Sequence, residues 1–284
     1  MQPIWDLVYA VVLLLASPWL VWQSIRTGKY RAGWSQKLWG SAPHRPGERP
    51  CVWFHAVSVG EVQLLRSLVE MTRRQRPGWE IVISTTTRAG LAVARQRYDD
   101  CRVFYCPLDF SWAVRRALRR VRPAVLVLAE LELWPNLIQI ASSQGIRVAV
   151  VNGRLSDRSF RGYARIRPLV SRVLRRLDLI AAQDGETAAR FVALGAPAER
   201  VFATGSLKFD GAQLDRQNPT TLRLRQQVQL AEGEPVLLAG STQSGEEAIV
   251  LAALVRLLPE FPSLRLVLVP RHSERFAEVA SLLA

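Results

Sequence analysis

The sequence predicts an α/β fold in which helices cover both faces of a parallel sheet. Short β-branched runs alternate with helical patterns from residue 51 to residue 194, and this alternation is typical of crossover units that join parallel strands. The 284 residues suffice for one large domain or two of ordinary size, and 49% of them are hydrophobic, so a packed core is expected. Ligands of such folds bind beyond the carboxyl ends of the strands.

The alternation places strands and helices in order along the first part of the chain. The predicted strands are Cys51–His55, Glu80–Thr85, Val103–Cys106, Ala124–Ala129, Arg147–Val151 and Leu179–Gln183. The predicted helices are Glu61–Gln75, Ala89–Tyr98, Trp112–Val121, Asn136–Ser143, Tyr163–Arg176 and Glu186–Leu194. These elements, with the residues that follow the last helix, define a first domain over 51–209.

A second set of elements follows a polar linker over 210–233. Strands are predicted at Pro235–Ala239 and Leu264–Val269, and helices at Glu246–Leu258 and Ser273–Leu283. Two crossover units leave both edges of their sheet uncovered and are too few for a stable domain. Residues 234–284 therefore either pack onto the first domain or form part of an incomplete second one.

The N-terminus predicts a membrane anchor helix over 1–26, followed by a basic linker over 27–50. The segment from Leu7 to Trp22 carries no charge, and the apolar run is long enough to enter or cross a hydrocarbon core of roughly 30 Å. A signal peptide fits poorly because no basic residue precedes the run, and a buried core helix is the alternative. The charges that follow predict a cytoplasmic location for the rest of the chain; they are Arg26, Lys29, Arg31 and Lys37.

Charge and cysteine content narrow the class of protein. The net charge is +14, and residues 110–180 hold fourteen arginines against four acidic residues, so an anionic partner is expected: nucleic acid, phospholipid headgroups or a phosphorylated substrate. The chain has no aromatic and basic platform of the kind that binds nucleic acid, which disfavours that partner. Cys51, Cys101 and Cys106 form no metal-binding pattern, which predicts a reduced compartment, no structural zinc and buried positions for Cys51 and Cys106.

The segment HAVSVGE, residues 55–61, is the first candidate site. It joins a buried strand to a helix that starts on Glu61, and a carboxylate at that point is suited to act as a general base on a hydroxyl. Gly60 would allow close backbone approach or a positive φ, and Ser58 is a weaker candidate beside it. The alternative is that Glu61 only complements the dipole of its helix.

Carboxylates also follow the strand Ala124–Ala129. Glu130 and Glu132, in AELELWPN, stand before a helix that Pro135 can begin. Neighbouring carboxylates perturb one another's pKa or bind backbone and arginine. The pattern alone does not choose between the two residues or between these two roles.

Three further motifs could bind phosphate or stabilise negative charge. Lys208, in TGSLKFD, carries a compact ammonium group suited to that task, although an ordinary surface lysine is the alternative. Hydroxyl side chains lead into a helix at AGSTQSGEE, and Arg271 in VPRH can grip phosphate through two parallel bonds. Weaker candidates there are Ser241, Thr242 and His272. The chain has neither the Walker motif nor GxGxxG, which disfavours P-loop NTPases and simple dinucleotide enzymes.

Taken together, these motifs resemble those of the 3-deoxy-D-manno-octulosonic acid (Kdo) transferases of lipopolysaccharide assembly. The resemblance covers the whole chain and rests on HAVSVGE, AELELWPN, NGRLSDRS, TGSLKFD and VPRH in that order. It implies a GT-B glycosyltransferase with two Rossmann-like domains, CMP-Kdo as donor and the phosphorylated tetraacyl lipid A precursor as acceptor. It also implies anionic lipids of the bacterial inner membrane as partners, no nucleic acid, and no metal or other cofactor.

The resemblance also implies roles for individual residues. Glu61 corresponds to the general base, and Glu130 and Lys208 correspond to residues that stabilise the transition state. Pro270 and Arg271 correspond to positions that hold CMP. Arg88 and the arginines between 154 and 176 are weaker candidates for the phosphates of the acceptor.

The second domain of the family extends beyond residue 284 and carries a GHN motif that this chain lacks. We therefore expect a truncated donor half and little transfer by this chain alone. Two alternatives stay open: a non-catalytic, membrane-anchored fragment that binds anionic lipid, and a GT-B transferase that uses another nucleotide sugar.

Overall fold

A computed structural model describes residues 2–27, 32–210 and 214–283 of the chain. These residues divide into two compact units, 1–211 and 212–284. Two of the predicted juxtamembrane charges, Lys29 and Arg31, lie outside the described residues.

The described part of the first unit forms a seven-stranded sheet in which every pair of neighbouring strands is parallel. The strand order is β3-β2-β1-β4-β5-β6-β7. The order reverses between β1 and β4, and a crevice at such a reversal is where open parallel sheets bind ligands. The strands are β1 Cys51–His55, β2 Glu80–Thr85, β3 Arg102–Tyr105, β4 Val125–Ala129, β5 Arg147–Gly153, β6 Leu179–Ala182 and β7 Val201–Ala203.

Helices cover both faces of this sheet, and two hydrophobic clusters fill the space between the layers. One cluster surrounds Trp53, Phe104 and Phe191, and the other surrounds Phe54 and Leu65. Cys51 and Cys106 are buried in the first cluster as predicted. The helices are α1 Gln2–Thr27, α2 Trp34–Trp39, α3 Val59–Gln75, α4 Arg88–Arg97, α5 Ser111–Val121, α6 Pro135–Ser143, α7 Asp157–Arg165, α8 Arg167–Leu174 and α9 Gly185–Ala193.

The six predicted strands are present, and the differences from prediction have local causes. The helix predicted over Tyr163–Arg176 is two helices, α7 and α8, because Pro168 has no N–H to continue the hydrogen-bond ladder of α7. Strand β7 has three residues, too few for a periodic pattern. Helix α2 lies inside the predicted basic linker, between Gly33 and Gly40, which both have positive φ.

The prediction of a membrane anchor over 1–26 is wrong in one respect. The helix forms, but within the ranges that the structure describes no helix is long and apolar enough to cross a membrane. Asp6 interrupts the apolar run and is used inside the protein: it accepts hydrogen bonds from the N–H (2.7 Å) and hydroxyl (2.6 Å) of Ser111 and from the amide of Asn136 (3.1 Å). Tyr9 packs edge-on against Phe110. One side of α1 therefore packs against α5 and α6.

The second unit contains a parallel pair of strands, β8 Val236–Thr242 and β9 Arg265–Pro270. Its helices are α10 Pro219–Gln227, α11 Glu246–Leu257 and α12 Phe276–Leu283. Helix α10 lies inside the predicted linker 210–233. It starts where the Asn218 side chain accepts the N–H of Thr221 at 2.9 Å and Pro219 takes the first position, and both are signals of a helix start.

Candidate active site

Three of the predicted residues meet at the carboxyl edge of the seven-stranded sheet. Glu61 follows β1, Glu130 follows β4, and Lys208 follows β7. All three line one cavity of about 540 Å³, to which Ser58 and Gly60 also contribute. Because β1 and β4 flank the reversal of strand order, the cavity lies where this kind of sheet binds ligands.

Glu61 lies in the first turn of α3 and is 9% exposed. Its carboxylate accepts hydrogen bonds from the backbone N–H of Val57 (2.8 Å) and of Ser58 (3.3 Å) and from the Ser58 hydroxyl (2.8 Å). The Ser58 oxygen in turn accepts the N–H of Glu61 at 3.3 Å, which completes a capping box. Glu61 therefore stabilises the start of its helix and also borders the cavity, so both predicted roles are compatible with its position.

Gly60 does not have the positive φ that was one of the two possibilities predicted for it. It takes the second position of α3 with ordinary helical backbone, because helix α3 starts two residues earlier than predicted. A side chain at this position would meet only the Ser58 hydroxyl oxygen, at 3.9 Å. Its predicted role in close backbone approach to a ligand stays a prediction.

Glu130 has a positive φ of 57° immediately after β4. Its N–H donates to the carbonyl of Val151 on β5 at 2.9 Å. Burial raises the pKa of Glu130, the Glu61 carboxylate raises it further, and Lys208 and Arg154 oppose that increase. Glu130 is thus electrostatically linked to both of the other predicted catalytic groups.

Glu132 is half-buried, as Glu130 is, but it does not line the cavity. It accepts a hydrogen bond from the indole N–H of Trp134 at 2.8 Å. Burial raises its pKa to about 7, with further increases from Glu61 and Glu130. The two carboxylates that the sequence left equivalent therefore differ: Glu130 faces the cavity, and Glu132 bonds to the next part of its own loop.

Lys208 is exposed in a short 3-10 turn, Leu207–Phe209, that follows Gly205. The Ser206 hydroxyl caps the turn by accepting the N–H of Lys208 at 3.4 Å. The amide oxygen of Asn152, at the end of β5, accepts the N–H of Leu207 at 3.0 Å. The turn is thus fixed to the same sheet edge that carries Glu61 and Glu130.

Further charged residues around this cavity were not predicted from the sequence. Asp210 borders it and accepts a long hydrogen bond of 3.5 Å from Ser67. Arg66 and Arg97 line it from α3 and α4, so both acidic and basic side chains border the cavity. Asp210 lies in the quoted TGSLKFD motif, whereas no sequence signal distinguishes the two arginines from the many others.

Arg88 and the arginines between 154 and 176 do not line this cavity. Arg88 is exposed at the first position of α4, next to the end of β2. Arg158, Arg161 and Arg165 are exposed on α7 with spacings of three and four residues, which places them on one face of the helix. Their predicted role toward acceptor phosphates stays a prediction.

The remaining candidates cluster at the carboxyl end of the parallel pair in the second unit. Pro270 ends β9, and the N–H of Arg271 donates to the carbonyl of Thr242 at 3.0 Å. Ser241 is exposed with a φ of 59°, Thr242 is buried, and Arg271 and His272 are exposed. Their proximity fits the expected phosphate-binding end of a strand pair, while their role toward CMP stays a prediction.

An ion pair in this unit was not anticipated. The buried Glu247 carboxylate receives two bonds from the guanidinium of Arg275, at 2.8 and 3.1 Å, and these bonds lower the pKa of Glu247 to about 2. Glu246 accepts the N–H of Gln243 at 2.8 Å. Acidic side chains therefore occupy the start of α11, next to the hydroxyl residues that we expected to bind phosphate.

The fold of the chain is shared with enzymes that act on nucleotide sugars. A UDP-GlcNAc 2-epimerase from Neisseria meningitidis matches with a TM-score of 0.57 and 13% identity, over 82% of this chain and 69% of that one. A putative UDP-N-acetylglucosamine 2-epimerase from Listeria monocytogenes matches with a TM-score of 0.53 and 12% identity, over 82% of this chain and 66% of that one. These similarities concern the fold alone, which is an α/β fold with a parallel sheet and with GT-B-like neighbours.

Sequence comparison identifies the family within this class. A model of the family "3-Deoxy-D-manno-octulosonic-acid transferase (kdotransferase)" matches residues 29–211. The Kdo transferase of Haemophilus influenzae is 32% identical over 98% of this chain and 66% of the relative, and that of Bordetella pertussis is 34% identical over 97% and 66%. The chain therefore belongs to the Kdo transferase family, as its motifs predicted. It spans slightly less than two thirds of the length of these relatives.

Proposed function

We propose that this chain catalyses, at a low rate when it is alone, the transfer of Kdo from CMP-Kdo to the tetraacyl lipid A precursor, lipid IVA, as a step of lipopolysaccharide synthesis. The place of the reaction is the cytoplasmic face of the bacterial inner membrane. Membership of the Kdo transferase family supports the reaction class. The observation that carries the proposal is the meeting of Glu61, Glu130 and Lys208 on one cavity at the reversal of strand order.

The proposed mechanism is a single displacement that inverts the anomeric centre. Glu61 takes the proton of a glucosamine hydroxyl as that oxygen forms a bond to the anomeric carbon of Kdo. The bond between this carbon and the CMP phosphate oxygen breaks, and its electron pair leaves with CMP. The Glu61 carboxylate ends the step protonated, and the phosphate of CMP ends it with one more negative charge.

Lys208 and Glu130 have complementary tasks in this mechanism. The ammonium group of Lys208 stabilises the negative charge that develops on the leaving phosphate. Glu130 lies within electrostatic reach of both Lys208 and Glu61, so its charge orients the lysine and stabilises positive charge on the sugar. Pro270 and Arg271 hold CMP in this proposal, and no metal is needed because the cationic groups of Lys208 and Arg271 balance the charge of the phosphate.

The reaction can be tested with the purified 284-residue chain in detergent, lipid IVA and a supply of CMP-Kdo. Mass spectrometry should detect lipid IVA that carries added Kdo, in the presence of EDTA as well as in its absence. A product that requires a divalent cation would contradict the metal-free mechanism. Bound lipid IVA without product would instead support the non-catalytic lipid-binding alternative, and protection of the chain by a nucleotide other than CMP would support another sugar donor.

Glu61→Gln separates the two roles of Glu61. Glutamine at this position preserves the capping box but cannot accept the proton, so we expect transfer to fall by at least ~100-fold, as for loss of a general base, with lipid binding unchanged. Glu199→Gln, an exposed glutamate in the 3-10 turn before β7, is the matched control and should transfer normally. Equal turnover by Glu61→Gln and its control would exclude Glu61 as the base.

A further inference from the structure

The end of β5 contacts the backbone of both loops that carry predicted catalytic groups. The carbonyl of Val151 accepts the N–H of Glu130 at 2.9 Å. Asn152 follows Val151 in the chain, and its side-chain amide oxygen accepts two hydrogen bonds. One comes from the N–H of Leu207 at 3.0 Å and the other from the hydroxyl of Ser206 at 3.4 Å. Two consecutive residues of one strand therefore fix the backbone beside Glu130 and beside Lys208.

The geometry of Asn152 is unusual for a strand residue. It is 2% exposed and has a φ of 54°, and the pairing of β5 with β6 changes register between Val150 and Gly153. A register change of this kind turns a side chain away from its regular direction, and asparagine tolerates left-handed backbone better than most residues. Its amide nitrogen has no protein partner among the described residues, so the side chain works through its oxygen.

The bond to Asn152 joins the turn with Lys208 to the sheet at a point beyond a glycine in the chain. The N–H of Thr204 is bonded to the carbonyl of Ala182 at 2.9 Å, but the chain then passes Gly205, which has a φ of 85°. Beyond this glycine, the amide oxygen of Asn152 bonds the turn to the sheet. Lysine has a long flexible side chain, so the place of its backbone decides where the ammonium group can reach.

We propose that Asn152 is a positioning residue that keeps Lys208 at a fixed distance from Glu130 during Kdo transfer. The proposal rests on the proposed role of Lys208 in transfer. Asn152 does not touch the reacting atoms in this account. It acts through the turn, and a displacement of about 1 Å at a catalytic group is enough to slow a reaction substantially.

Two substitutions of Asn152 distinguish the effect of its amide oxygen from the effect of its left-handed backbone conformation. Asn152→Gly preserves the left-handed backbone and removes the acceptor, so the chain should fold while kcat falls ~10-fold and KM for both substrates changes by less than ~3-fold. Asn152→Asp preserves an acceptor for the N–H of Leu207 and should restore kcat to within ~3-fold of the unsubstituted chain. Gln183→Ala, which removes a side chain 3.4 Å from the carbonyl of Asn152, is the control and should leave kcat unchanged.

A double-mutant cycle tests whether Asn152 acts through Lys208. In a Lys208→Ala background, Asn152→Gly should have no further effect on kcat, because the group that it positions is gone. If the decrease in kcat of the double variant equals the product of the two single decreases, the proposal is overturned. A rise in KM that accounts for the whole loss would also overturn it, since that result would assign Asn152 to substrate binding.

A second readout does not require any transfer activity. The chain has three lysines, Lys29, Lys37 and Lys208. Reductive methylation with ¹³C-formaldehyde therefore gives few NMR signals besides that of the N-terminus. The signal that is missing in Lys208→Arg is the signal of Lys208. Glu130→Gln should shift the Lys208 signal in the unsubstituted chain and should not shift it in Asn152→Gly. An equal shift in both would overturn the proposal. If no Kdo transfer is detected but this coupling is lost as expected, the positioning role stands and the proposed reaction fails.

Discussion

The carboxylate of Glu61 caps its helix with the same oxygen atoms that the proposed reaction would use. As a helix cap it accepts three hydrogen bonds from Val57 and Ser58, and as the proposed base it would have to release some of that hydrogen bonding to accept a proton. The bonds also fix the direction of the carboxylate, which a base requires. Ser58 is therefore the residue that links the stability of α3 to the proposed chemistry.

Substitution of Ser58 should show both effects at once. Ser58→Ala removes the cap of α3, and Thr87→Ala removes the corresponding cap of α4, where Thr87 accepts the N–H of Gly90 at 3.0 Å. Each should lower the free energy of unfolding by about 1 kcal/mol in urea titrations. Only Ser58→Ala should also change the rate of transfer. Thr87 donates to the carbonyl of Val57 at 3.2 Å but makes no bond to Glu61, and in Thr87→Ala that carbonyl keeps its bond from Thr85 at 2.9 Å. Equal rates for both variants would show that Ser58 serves the helix alone.

The raised pKa of Glu132 predicts how stability depends on pH. Its pKa rises from 4.5 to about 7 on folding, so between these values the folded chain binds more protons than the unfolded chain and stability falls as pH rises. Glu132→Gln preserves an acceptor for Trp134 and should reduce the loss of stability between pH 5 and pH 8 in urea titrations. Asp109, whose pKa burial raises to about 7, adds a slope of the same sign that this substitution leaves in place. An unchanged slope in Glu132→Gln would contradict the assignment.

At the scale of elements, α1 shows how tertiary contacts decide what an apolar pattern becomes. The pattern predicted a membrane anchor that enters or crosses the bilayer, and Asp6 was the charged residue near its start. In the structure the Asp6 carboxylate accepts hydrogen bonds from Ser111 on α5 and from Asn136 on α6. A sequence reveals that a polar residue interrupts a hydrophobic run. It does not reveal that the carboxylate of this residue accepts hydrogen bonds from groups more than a hundred residues away in the chain.

The bonds of Asp6 should determine how firmly α1 is held. Asp6→Ala removes three hydrogen bonds, two of them shorter than 2.8 Å, so the amides of α1 should exchange with deuterium faster than in the unsubstituted chain. The amides of β1 and β4 should be protected as before, because the sheet does not depend on these bonds. Ser17→Ala, which loses one bond within α1 to the carbonyl of Leu14, is the control. Equal exchange in both variants would show that Asp6 does not attach the helix.

At the scale of the whole molecule, the sheet of the first unit and the cavity residues were largely predictable, and their connections were not. The alternating pattern located β1 to β6, and the ends of those strands located Glu61 and Glu130. The pattern did not reveal that the side chain of Asn152 crosses to the turn of Lys208, because that contact follows from a register change between β5 and β6. Contacts of this kind depend on strand order and on backbone dihedrals, which hydrophobic periodicity does not encode.

The charge of the whole chain predicts how it meets an anionic acceptor. The net charge is +14, and the arginines of α7 present part of it on one face. Replacement of Arg158, Arg161 and Arg165 by glutamine should weaken binding to lipid IVA in detergent and reduce the dependence of that binding on salt, because fewer ion contacts are then screened. The control replaces three exposed arginines of the second unit in the same way, Arg216, Arg223 and Arg256, so both variants have the same net charge. If both lose affinity equally, binding follows the overall charge and not the α7 face; if only the first loses affinity, the α7 arginines contact the acceptor.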